Sequence, residues 1–579
     1  MARNKKIFLF WFGLFLLTIF SFSFHSSSLE WNQDLGRHIR LGEITIKQRS
    51  VPQENLFSYT QENFPFQNHH WLSGVFFAVF YNNFGNDGLI LIKTIFFLLA
   101  WGSLFWLICQ KTPASWAAFL SLVPILVFRE RTYIRPEIFG FLLFAIFLII
   151  FTKARKGREN LLWFLPFLQI LWINLHISFV FGLILIVANL VWFLQQSLFK
   201  KEKLRRKVLL PLVLSVVFNV VNPFGIRGVL WPFLIWQNYG YGIVENQSVF
   251  FLLGLGYRAS IGFFLAGLTF GSVFLLKIKT KWSDLLVWLI ISIVSLAQIR
   301  HFPFWALYSF WFWGNNISLL FKKTSTKTTL YFNQATTILS LLIFLFMITV
   351  YVFNLNYKAT DVDRVFGFGG DQPGRKAALF LKENFSQRNI FNNFDIGSYL
   401  SYFYPEIRVF ADSRPEAYSV DFWEEYRQIQ ASWPLWQEAV ERYQIEAVFF
   451  SHTDQTPWGQ QFLKNLYQNE GWQVVYLDQD IVVFSKKENT LPRLVFDESF
   501  VKSFSQTSLG FFRLGRLFSL FEKTELAKAS FEEALRLNPD SYGANLGLAS
   551  IYLQTENPAL HFKAKGLISK TNSWWYRLW

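Results

Sequence analysis

The stretch WNQDLGRHIRLGEITIKQRSVPQENLFSYTQENFPFQNHHWL, residues 31–72, decides how this chain is organised. It closely follows an apolar segment of membrane-spanning length, yet its titratable side chains include Asp34, Arg37, His38, Arg40, His69 and His70. Ionisable groups are costly at membrane depth, and those found there tend to line cavities or bind ligands. The side of the membrane on which this stretch lies therefore determines which other residues can act with it.

The composition of the chain is that of a multi-pass membrane protein with a soluble tail. Of its 579 residues, 52% are hydrophobic and 20% aromatic, and the mean hydropathy is +0.27. Soluble domains rarely have such a composition. Apolar stretches recur from Ile7 to about Asn354, and the composition then becomes ordinary. We therefore expect a membrane domain over residues 1–355 and one or two small domains after it.

The basic residues indicate how the chain is oriented. The net charge is +16, from 55 basic and 39 acidic residues. The basic runs separate apolar segments, as they do in cytoplasmic loops, so we expect no nucleic-acid partner. The single cysteine, Cys109, excludes a disulfide within the chain and says nothing about redox compartment. Residues 1–24 lack a convincing cleavage site, which favours an uncleaved first helix over a signal peptide.

The apolar segments predict about eleven membrane spans, several of them shorter than the roughly 20 residues of a straight span. They cover about 7–24, 88–109, 114–128, 137–151, 161–174, 177–196, 208–221, 259–276, 284–299, 303–321 and 331–355. Segment 71–84 is ambiguous. If it does not cross, the N-terminus and all strongly basic loops lie in the cytoplasm. If it crosses, all the later basic loops lie outside. The positive-inside rule favours the first option, with 71–84 as a re-entrant or interfacial helix.

This orientation places a set of polar residues on the outer face of what we expect to be a bacterial plasma membrane. They include loop 25–70 and the ends of several spans: Asp34, His38, His69, His70, Arg129, Arg135, Glu137, Asn174, His176, Arg300 and His301. Asp34 and His38 share one face of a short helix. Asp34 is then a general base or a metal ligand, or only an ion-pair partner of Arg37 or His38.

The other members of this set suit substrate binding. One open interpretation is a divalent metal site formed by Asp34, His38 and either His69 or His70. Another is an interfacial aromatic belt around Trp71. Arginines such as Arg129 and Arg135 suit phosphate through their planar, permanently charged groups, although they also suit lipid headgroups. Asn174 and Asn222 are equally typical of caps and turns.

The tail divides into three parts. A linker is predicted over 356–372 and a small α/β domain over 373–486, with strands near 389–392, 407–411, 445–450, 473–477 and 480–485. Eleven crossings from a cytoplasmic N-terminus make this C-terminal domain extracytoplasmic. Asp412 follows one of these strands, which suits either a ligand site or a structural network with Arg414. Residues 487–579 form a helical segment in which Leu514, Gly515, Ala527, Phe531, Ala534 and Pro539 occupy tetratricopeptide-repeat positions. Such repeats present concave surfaces to protein partners.

Several short motifs together resemble the GT-C superfamily of polytopic membrane glycosyltransferases. They are Asp34 with Gly36 and His38, then FSYT (57–60), HHWL (69–72), RPE (135–137), NLH (174–176), NPFG (222–225), RHFP (300–303), FDIGSYL (394–400) and FADSRPEAY (410–418). The resemblance implies a polyprenyl-phosphate sugar donor and a catalytic acidic residue in the first outer loop. The sequence departs from the familiar pattern because it reads Asp-Leu in place of an acidic pair.

The resemblance implies transfer of a sugar from a polyprenyl-phosphate donor to an acceptor on the outer face of the membrane. Asp34 would act as the base, and His38 would orient it or join it at a metal. Arg135, with Arg129 or Arg300 as alternatives, would stabilise the departing phosphate. Two further functions stay open: a non-catalytic scaffold that binds envelope proteins through its tail, and a lipid-linked saccharide ligase or flippase.

Overall fold

The computed structural model describes residues 2–27, 34–201, 205–235, 239–254, 258–276, 280–319, 326–355, 364–369 and 375–571. Residues 28–33, most of the predicted linker and residues 572–579 lie outside these ranges. The first part of the chain is a bundle of mostly apolar helices. They are α1 (Ala2–Ser23), α2 (Gly36–Gln48), α3 (Trp71–Cys109), α4 (Ala114–Phe128), α5 (Glu137–Ala154), α6 (Leu165–Leu175), α7 (Phe179–Lys200), α8 (Arg206–Val217), α9 (Ile226–Leu234), α10 (Val249–Gly254), α11 (Arg258–Ser272), α12 (Trp282–Ala297), α13 (Phe302–Asn316) and α14 (Thr326–Val352).

Each predicted span coincides with a helix in this bundle. Six helical segments of the described chain are both long and apolar enough to cross a membrane: Lys5–Ser23, Trp71–Cys109, Glu137–Ala154, Phe179–Phe199, Ala259–Leu276 and Tyr331–Val352. Helix α12 is apolar but shorter. The chain is thus a multi-pass membrane protein, and the number of eleven crossings stays a prediction.

Helix α3 is not one straight rod. Gly85 has φ 64° and ψ −163°, a conformation that side chains other than glycine rarely adopt. The rings of Phe76 and Phe96 lie only 6.1 Å apart, whereas twenty residues of straight helix span about 30 Å. Segments 71–84 and 86–109 therefore fold back on each other at Gly85. This geometry fits both a segment 71–84 that turns back without crossing and one that crosses, so the first option stays a prediction.

The α/β domain follows the bundle. It contains α15 (Arg375–Asn384), β3 (Asn389–Asn392), α16 (Phe394–Phe403), α17 (Val420–Ala431), α18 (Trp433–Arg442), β4 (Ile445–Ser451), α19 (Pro457–Gln468), β5 (Trp472–Leu477) and β6 (Ile481–Lys486). The strand order is β3-β4-β6-β5, with β3 parallel to β4 and the other pairs antiparallel. The end of the bundle on which this domain sits is called the upper end below.

The domain is joined to loop 25–70 through segment 407–411, which was predicted as a strand of the sheet. That prediction is wrong, because the backbone of Val409 bonds to the loop instead. Its N–H donates to the carbonyl of Phe57 (2.8 Å) and its carbonyl accepts from the N–H of Tyr59 (3.2 Å). A second link lies in the predicted linker, where β2 (Arg364–Phe366) pairs antiparallel with β1 (His25–Ser27).

The last five helices pack in succession beyond the sheet: α20 (Glu498–Phe504), α21 (Ser508–Leu520), α22 (Thr524–Leu537), α23 (Tyr542–Leu553) and α24 (Pro558–Thr571). A Cβ at Gly515 would lie 2.6 Å from the ring of Phe531, so the small residue permits the close contact between α21 and α22. This packing is compatible with tetratricopeptide repeats, and the assignment of this segment to them stays a prediction.

Candidate functional site

A cavity of about 850 Å³ lies at the upper end, between the helix bundle and the α/β domain. Its wall combines residues from five distant parts of the chain, namely loop 25–70, the 130–137 turn, the 176–184 segment, the 232–261 segment and residues 294–304, together with the α/β domain. Nine of the eleven residues predicted for the site line it: Asp34, His38, His69, His70, Arg135, Glu137, His176, Arg300 and His301.

Asp34 lies just before helix α2 and its carboxylate has three partners. Arg37, one helical turn later, donates to Oδ1 from Nε at 3.1 Å and from Nη2 at 2.9 Å. Ser413 of the α/β domain donates its hydroxyl to the same oxygen at 3.0 Å, and Nη2 of Arg135 lies 3.8 Å from Oδ2. Burial opposes ionisation, but the charges of Arg37 and Arg135 outweigh it and hold the pKa of Asp34 well below its usual range. Asp34 is therefore an ionised carboxylate at neutral pH.

A network of ion pairs crosses the cavity next to Asp34. Arg131 donates to both carboxylate oxygens of Glu137, at 3.0 and 2.9 Å, and its Nη1 lies 2.8 Å from Glu245. Arg135 also bonds to Glu245. Burial opposes the charge on Glu245, but Arg131 and Arg135 lower its pKa to about 2. These pairs fix the guanidinium planes in the wall.

Arg300 differs from the other arginines of the cavity wall. Its Nη1 donates to the side-chain carbonyl of Asn246 at 2.8 Å. Among the described residues, no carboxylate lies within ion-pair distance of Arg300, whereas Arg37, Arg131 and Arg135 each have at least one such partner. The charge of Arg300 is thus the one most available to an anionic ligand.

The histidines of the cavity form a stacked group of neutral rings. His70 stacks on His176 with centroids 4.8 Å apart and lies 3.9 Å from His69. Burial, followed by the charge of Arg37, lowers the pKa of His38, and burial lowers the pKa of His69 to about 3. His176 Nδ1 accepts from the backbone N–H of Ser178 at 3.2 Å, so its proton lies on Nε2. Neutral rings of this kind can donate or accept hydrogen bonds but add no charge.

The residues do not fit a divalent metal. In the described part of the chain, no three His, Cys, Asp or Glu side chains are grouped closely enough to hold one. The oxygens of Asp34 face guanidinium groups and a hydroxyl, which a cation would have to displace against the charge of two arginines. The metal site considered from Asp34, His38 and a neighbouring histidine is therefore not supported by the geometry.

The α/β domain supplies part of the cavity wall. Asp395 and Glu416 line it together with Ser413. Burial, helped by the nearby charge of Asp454, raises the pKa of Asp395 to about 7. The sequence analysis singled out neither Ser413 nor Glu245 as a site residue. The available signal was that each is a polar residue in a segment predicted to lie on the outer side.

Two predicted site residues lie elsewhere. Arg129 is buried and donates to the hydroxyl of Tyr351 at 3.2 Å, so it does not line the cavity. Asn174 accepts from the indole N–H of Trp71 at 2.9 Å and donates to the carbonyl of Val221 at 2.9 Å. Both side chains join helix ends, in agreement with the structural alternative considered for Asn174.

The pair of Asp412 and Arg414 also proves structural. Both side chains are fully buried, and Arg414 donates to both oxygens of Asp412, at 2.7 and 2.6 Å. It also donates to Asn55 of loop 25–70 at 2.6 Å and lies over the rings of Phe57 and Phe66. The network holds the α/β domain on the loop and places Ser413, between the two partners, against Asp34.

Comparison with solved structures relates this architecture to known proteins. The archaeal oligosaccharyltransferase AglB from Archaeoglobus fulgidus, in complex with an inhibitory peptide and a dolichol-phosphate, matches with TM-score 0.51 and 13% identity over 85% of this chain and 75% of its own. The same oligosaccharyltransferase in complex with Zn and sulfate matches with TM-score 0.51 and 11% identity, over 90% and 85% of the two chains. ArnT from Cupriavidus metallidurans bound to undecaprenyl phosphate matches with TM-score 0.44 and 13% identity, over 83% and 97%.

No family model matches the sequence, and no curated protein does so either. At identities this low, the likeness to the archaeal oligosaccharyltransferase establishes the fold alone. The motifs around Asp34, His70 and Arg135 had predicted the same fold, and here they meet around one cavity. The chain thus shares its fold with the archaeal oligosaccharyltransferase AglB, in agreement with the fold that the GT-C resemblance of its motifs had implied.

Proposed function

We propose that this protein is a membrane glycosyltransferase that moves a sugar from a polyprenyl-phosphate donor to an acceptor on the outer face of a bacterial plasma membrane. The observation that carries the proposal is the sharing of one cavity by an ionised carboxylate, Asp34, and by Arg300, which has no carboxylate partner in the described part of the chain. Glycosyl transfer from a lipid phosphate needs both groups, one to accept a proton and one to hold the departing anion.

Asp34 acts as the general base in this proposal. It accepts the proton of the acceptor hydroxyl while that oxygen forms a bond to the anomeric carbon. The bond from the anomeric carbon to the phosphate oxygen breaks, and its electron pair leaves with the lipid phosphate. Asp34 is a weak base because of its arginine partners, so its part is to orient the hydroxyl and to accept the proton late in the transfer.

Arg300 is the preferred phosphate ligand, with Arg135 as its neighbour across the cavity. Arg135 already contacts Asp34 and Glu245, and a phosphate would have to share it with these carboxylates. The guanidinium of Arg300, by contrast, donates to the neutral side-chain amide of Asn246. Fixed positive charge in a partly dry site stabilises a developing anion without reorganisation.

The neutral histidines suit the remaining polar contacts. His176 presents an Nε2 proton, and the charges of Arg37 and Arg300 help burial to keep His69 neutral. Hydrogen bonds from such rings can hold sugar hydroxyls or phosphate oxygens without adding charge. The dolichol-phosphate bound to the archaeal structural neighbour supports a lipid-phosphate donor for this chain as well.

The experiment measures sugar transfer by the full-length protein purified in detergent, with a radiolabelled polyprenyl-phosphate sugar and a panel of hydroxyl-bearing acceptors. Asp34→Asn keeps the shape of the side chain and should lower the transfer rate about 100-fold or more while it leaves donor binding intact. Arg300→Gln should weaken polyprenyl-phosphate binding about tenfold.

Arg129→Gln provides the matched control, because Arg129 is an arginine at the same end of the bundle that does not line the cavity. It should bind donor like the wild type. Full transfer activity in Asp34→Asn would refute the role of the base. Tight capture of one envelope protein, with no sugar product from any acceptor, would favour the scaffold function instead.

A further inference from the structure

Charge is distributed unevenly over the wall of the cavity. Four guanidinium groups of the membrane domain line it: Arg37, Arg131, Arg135 and Arg300. Six carboxylates line it as well: Asp34, Glu130, Glu137, Glu245, Asp395 and Glu416. The part contributed by the α/β domain consists of Phe394, Asp395, Ser413, Pro415, Glu416 and Thr456, and it is called the acidic wall below. These described residues include two carboxylates and no basic side chain.

Asp395 points into the cavity from the first turn of helix α16. The residues on either side of it, Phe394 and Ile396, are buried, whereas Asp395 is exposed to the cavity that it lines. In the described ranges, no basic side chain lies within ion-pair distance of its carboxylate. Desolvation by the surrounding protein, followed by the charge of Asp454, raises the pKa of Asp395 to about 7. A cation bound at this carboxylate would favour its ionised form.

Glu416 is a second carboxylate of the acidic wall without a cation beside it. It is only 6% exposed and lines the cavity. Arg414, two residues earlier, is paired with Asp412, and no basic side chain of the described chain lies within ion-pair distance of Glu416. Burial raises the pKa of Glu416. A buried carboxylate without a counter-charge is costly, and a positively charged ligand would relieve that cost.

Tyr241 adds a neutral hydroxyl and an apolar surface near Asp395. Its ring stacks on that of Phe394 with centroids 4.2 Å apart, and both rings line the cavity. Burial, followed by the charge of Asp395, raises the pKa of Tyr241, so its hydroxyl keeps its proton. A tyrosine hydroxyl can accept a hydrogen bond as well as donate one. Apolar rings beside a charge pair also exclude water and thereby strengthen the pair.

We propose that the acidic wall binds the acceptor, and that this acceptor carries a protonated primary amino group that donates to Asp395. The inference rests on the proposed function, because it names the class of acceptor for the same site. A lipid phosphate at Arg300 would add negative charge to a cavity that already has more carboxylates than guanidinium groups. An acceptor with hydroxyls alone would leave Asp395 without a counter-charge, whereas an ammonium group supplies it through a charge-assisted hydrogen bond.

The test compares two glycosides that differ in one group. Methyl 6-amino-6-deoxy-α-D-glucopyranoside carries an ammonium group at neutral pH, and methyl α-D-glucopyranoside has a hydroxyl in its place. Binding of each to the full-length protein in a polyoxyethylene detergent, without donor, is followed by a saturation-transfer NMR titration. The wild type should bind the ammonium glycoside about tenfold more tightly. Asp395→Asn should abolish this preference, and Asp395→Glu should retain part of it.

Asp421→Asn is the matched control. Asp421 is an acidic residue in the first turn of α17, as Asp395 is in α16, but it is exposed and does not line the cavity. It should keep the full preference, which separates ligand binding from the general effect of a carboxylate at a helix N-terminus. Equal binding of the two glycosides by the wild type, no saturable binding of the ammonium glycoside, or an unchanged preference in Asp395→Asn would each overturn the proposal.

The binding measurement does not depend on sugar transfer. In the transfer assay, Asp395→Asn should raise KM for an ammonium-bearing acceptor about tenfold with kcat unchanged, because it removes a contact made equally in the ground state and the transition state. The absence of any sugar product from the wild type would refute the proposed function. A preference for the ammonium glycoside that depends on Asp395 would still establish the cation site.

Discussion

Arg414→Met is expected to loosen the α/β domain from the membrane domain. The substitution keeps most of the apolar volume of the side chain but removes its charge. Arg414 makes two bonds to Asp412, one to Asn55, and stacking contacts with Phe57 and Phe66 at 4.5 and 4.7 Å. Both partners of the pair are 0% exposed. Without Arg414, the carboxylate of Asp412 would be left buried with no charge to balance it.

The magnitude follows from that burial. Breaking one side of a buried ion pair costs about 3–5 kcal/mol. The α/β domain and the last helices together span roughly 200 residues, and a unit of that size loses about 2–4 °C in Tm for each kcal/mol. This unit should therefore melt at least about 6 °C earlier. The control is Arg408→Met, which breaks the pair of Arg408 and Glu62, both about half exposed. An exposed pair contributes about 0–1 kcal/mol.

The measurement is thermal unfolding of the purified full-length variants in one detergent, followed by far-UV circular dichroism and by tryptophan fluorescence. A double variant, Asp412→Asn with Arg414→Met, should recover part of the loss because it removes the stranded charge. A difference of less than about 2 °C between Arg414→Met and Arg408→Met would refute the reasoning.

Three further substitutions test other parts of the structure. Ser413→Ala removes one hydrogen bond to the ionised Asp34 and should lower the transfer rate about tenfold with KM unchanged, measured in the donor assay; an equal loss of donor affinity would contradict a positioning role. Asp395 has a folded pKa of about 7, above the value near 4 of an unfolded chain, so the folded state loses stability as pH rises from about 4 to 7. Asp395→Asn should therefore melt higher than the wild type at pH 8 but not at pH 4, and an unchanged difference across that range would count against it. Gly85→Ala should cost about 1–3 kcal/mol because of its positive φ, seen as a lower Tm than that of Gly13→Ala, where a Cβ meets no atom within 4 Å.

The sequence predicted the helices of the bundle well because their apolar runs are long and bounded by charges. The fold-back at Gly85 was anticipated only indirectly, from the length of segment 71–84 and the distribution of lysine and arginine. Most site residues were predicted for a similar reason. A charged side chain beside an apolar span, such as Arg300, can be recognised from the sequence alone.

The remaining features depend on contacts between distant segments. Glu245 and Ser413 both lie near Asp34, although some 170 residues separate Glu245 from Ser413. No local sequence pattern predicts this proximity. Arg129 and Arg135 look alike in the sequence, yet one bonds to Tyr351 and the other faces the cavity. Segment 407–411 has the composition of a strand, but its partner is a loop that precedes it by some 350 residues.

The attachment of the α/β domain to loop 25–70 makes the two parts a single folding unit across the chain. A protein cut before Arg375 would keep its helices but expose the rings of Phe57 and Phe66, which now lie under Arg414. It would also lack Ser413 and Asp395, and with them one wall of the cavity. Substitutions in the loop therefore affect the domain as well, and substitutions in the domain affect the loop. A change of acceptor preference made in one would require compensating substitutions in the other.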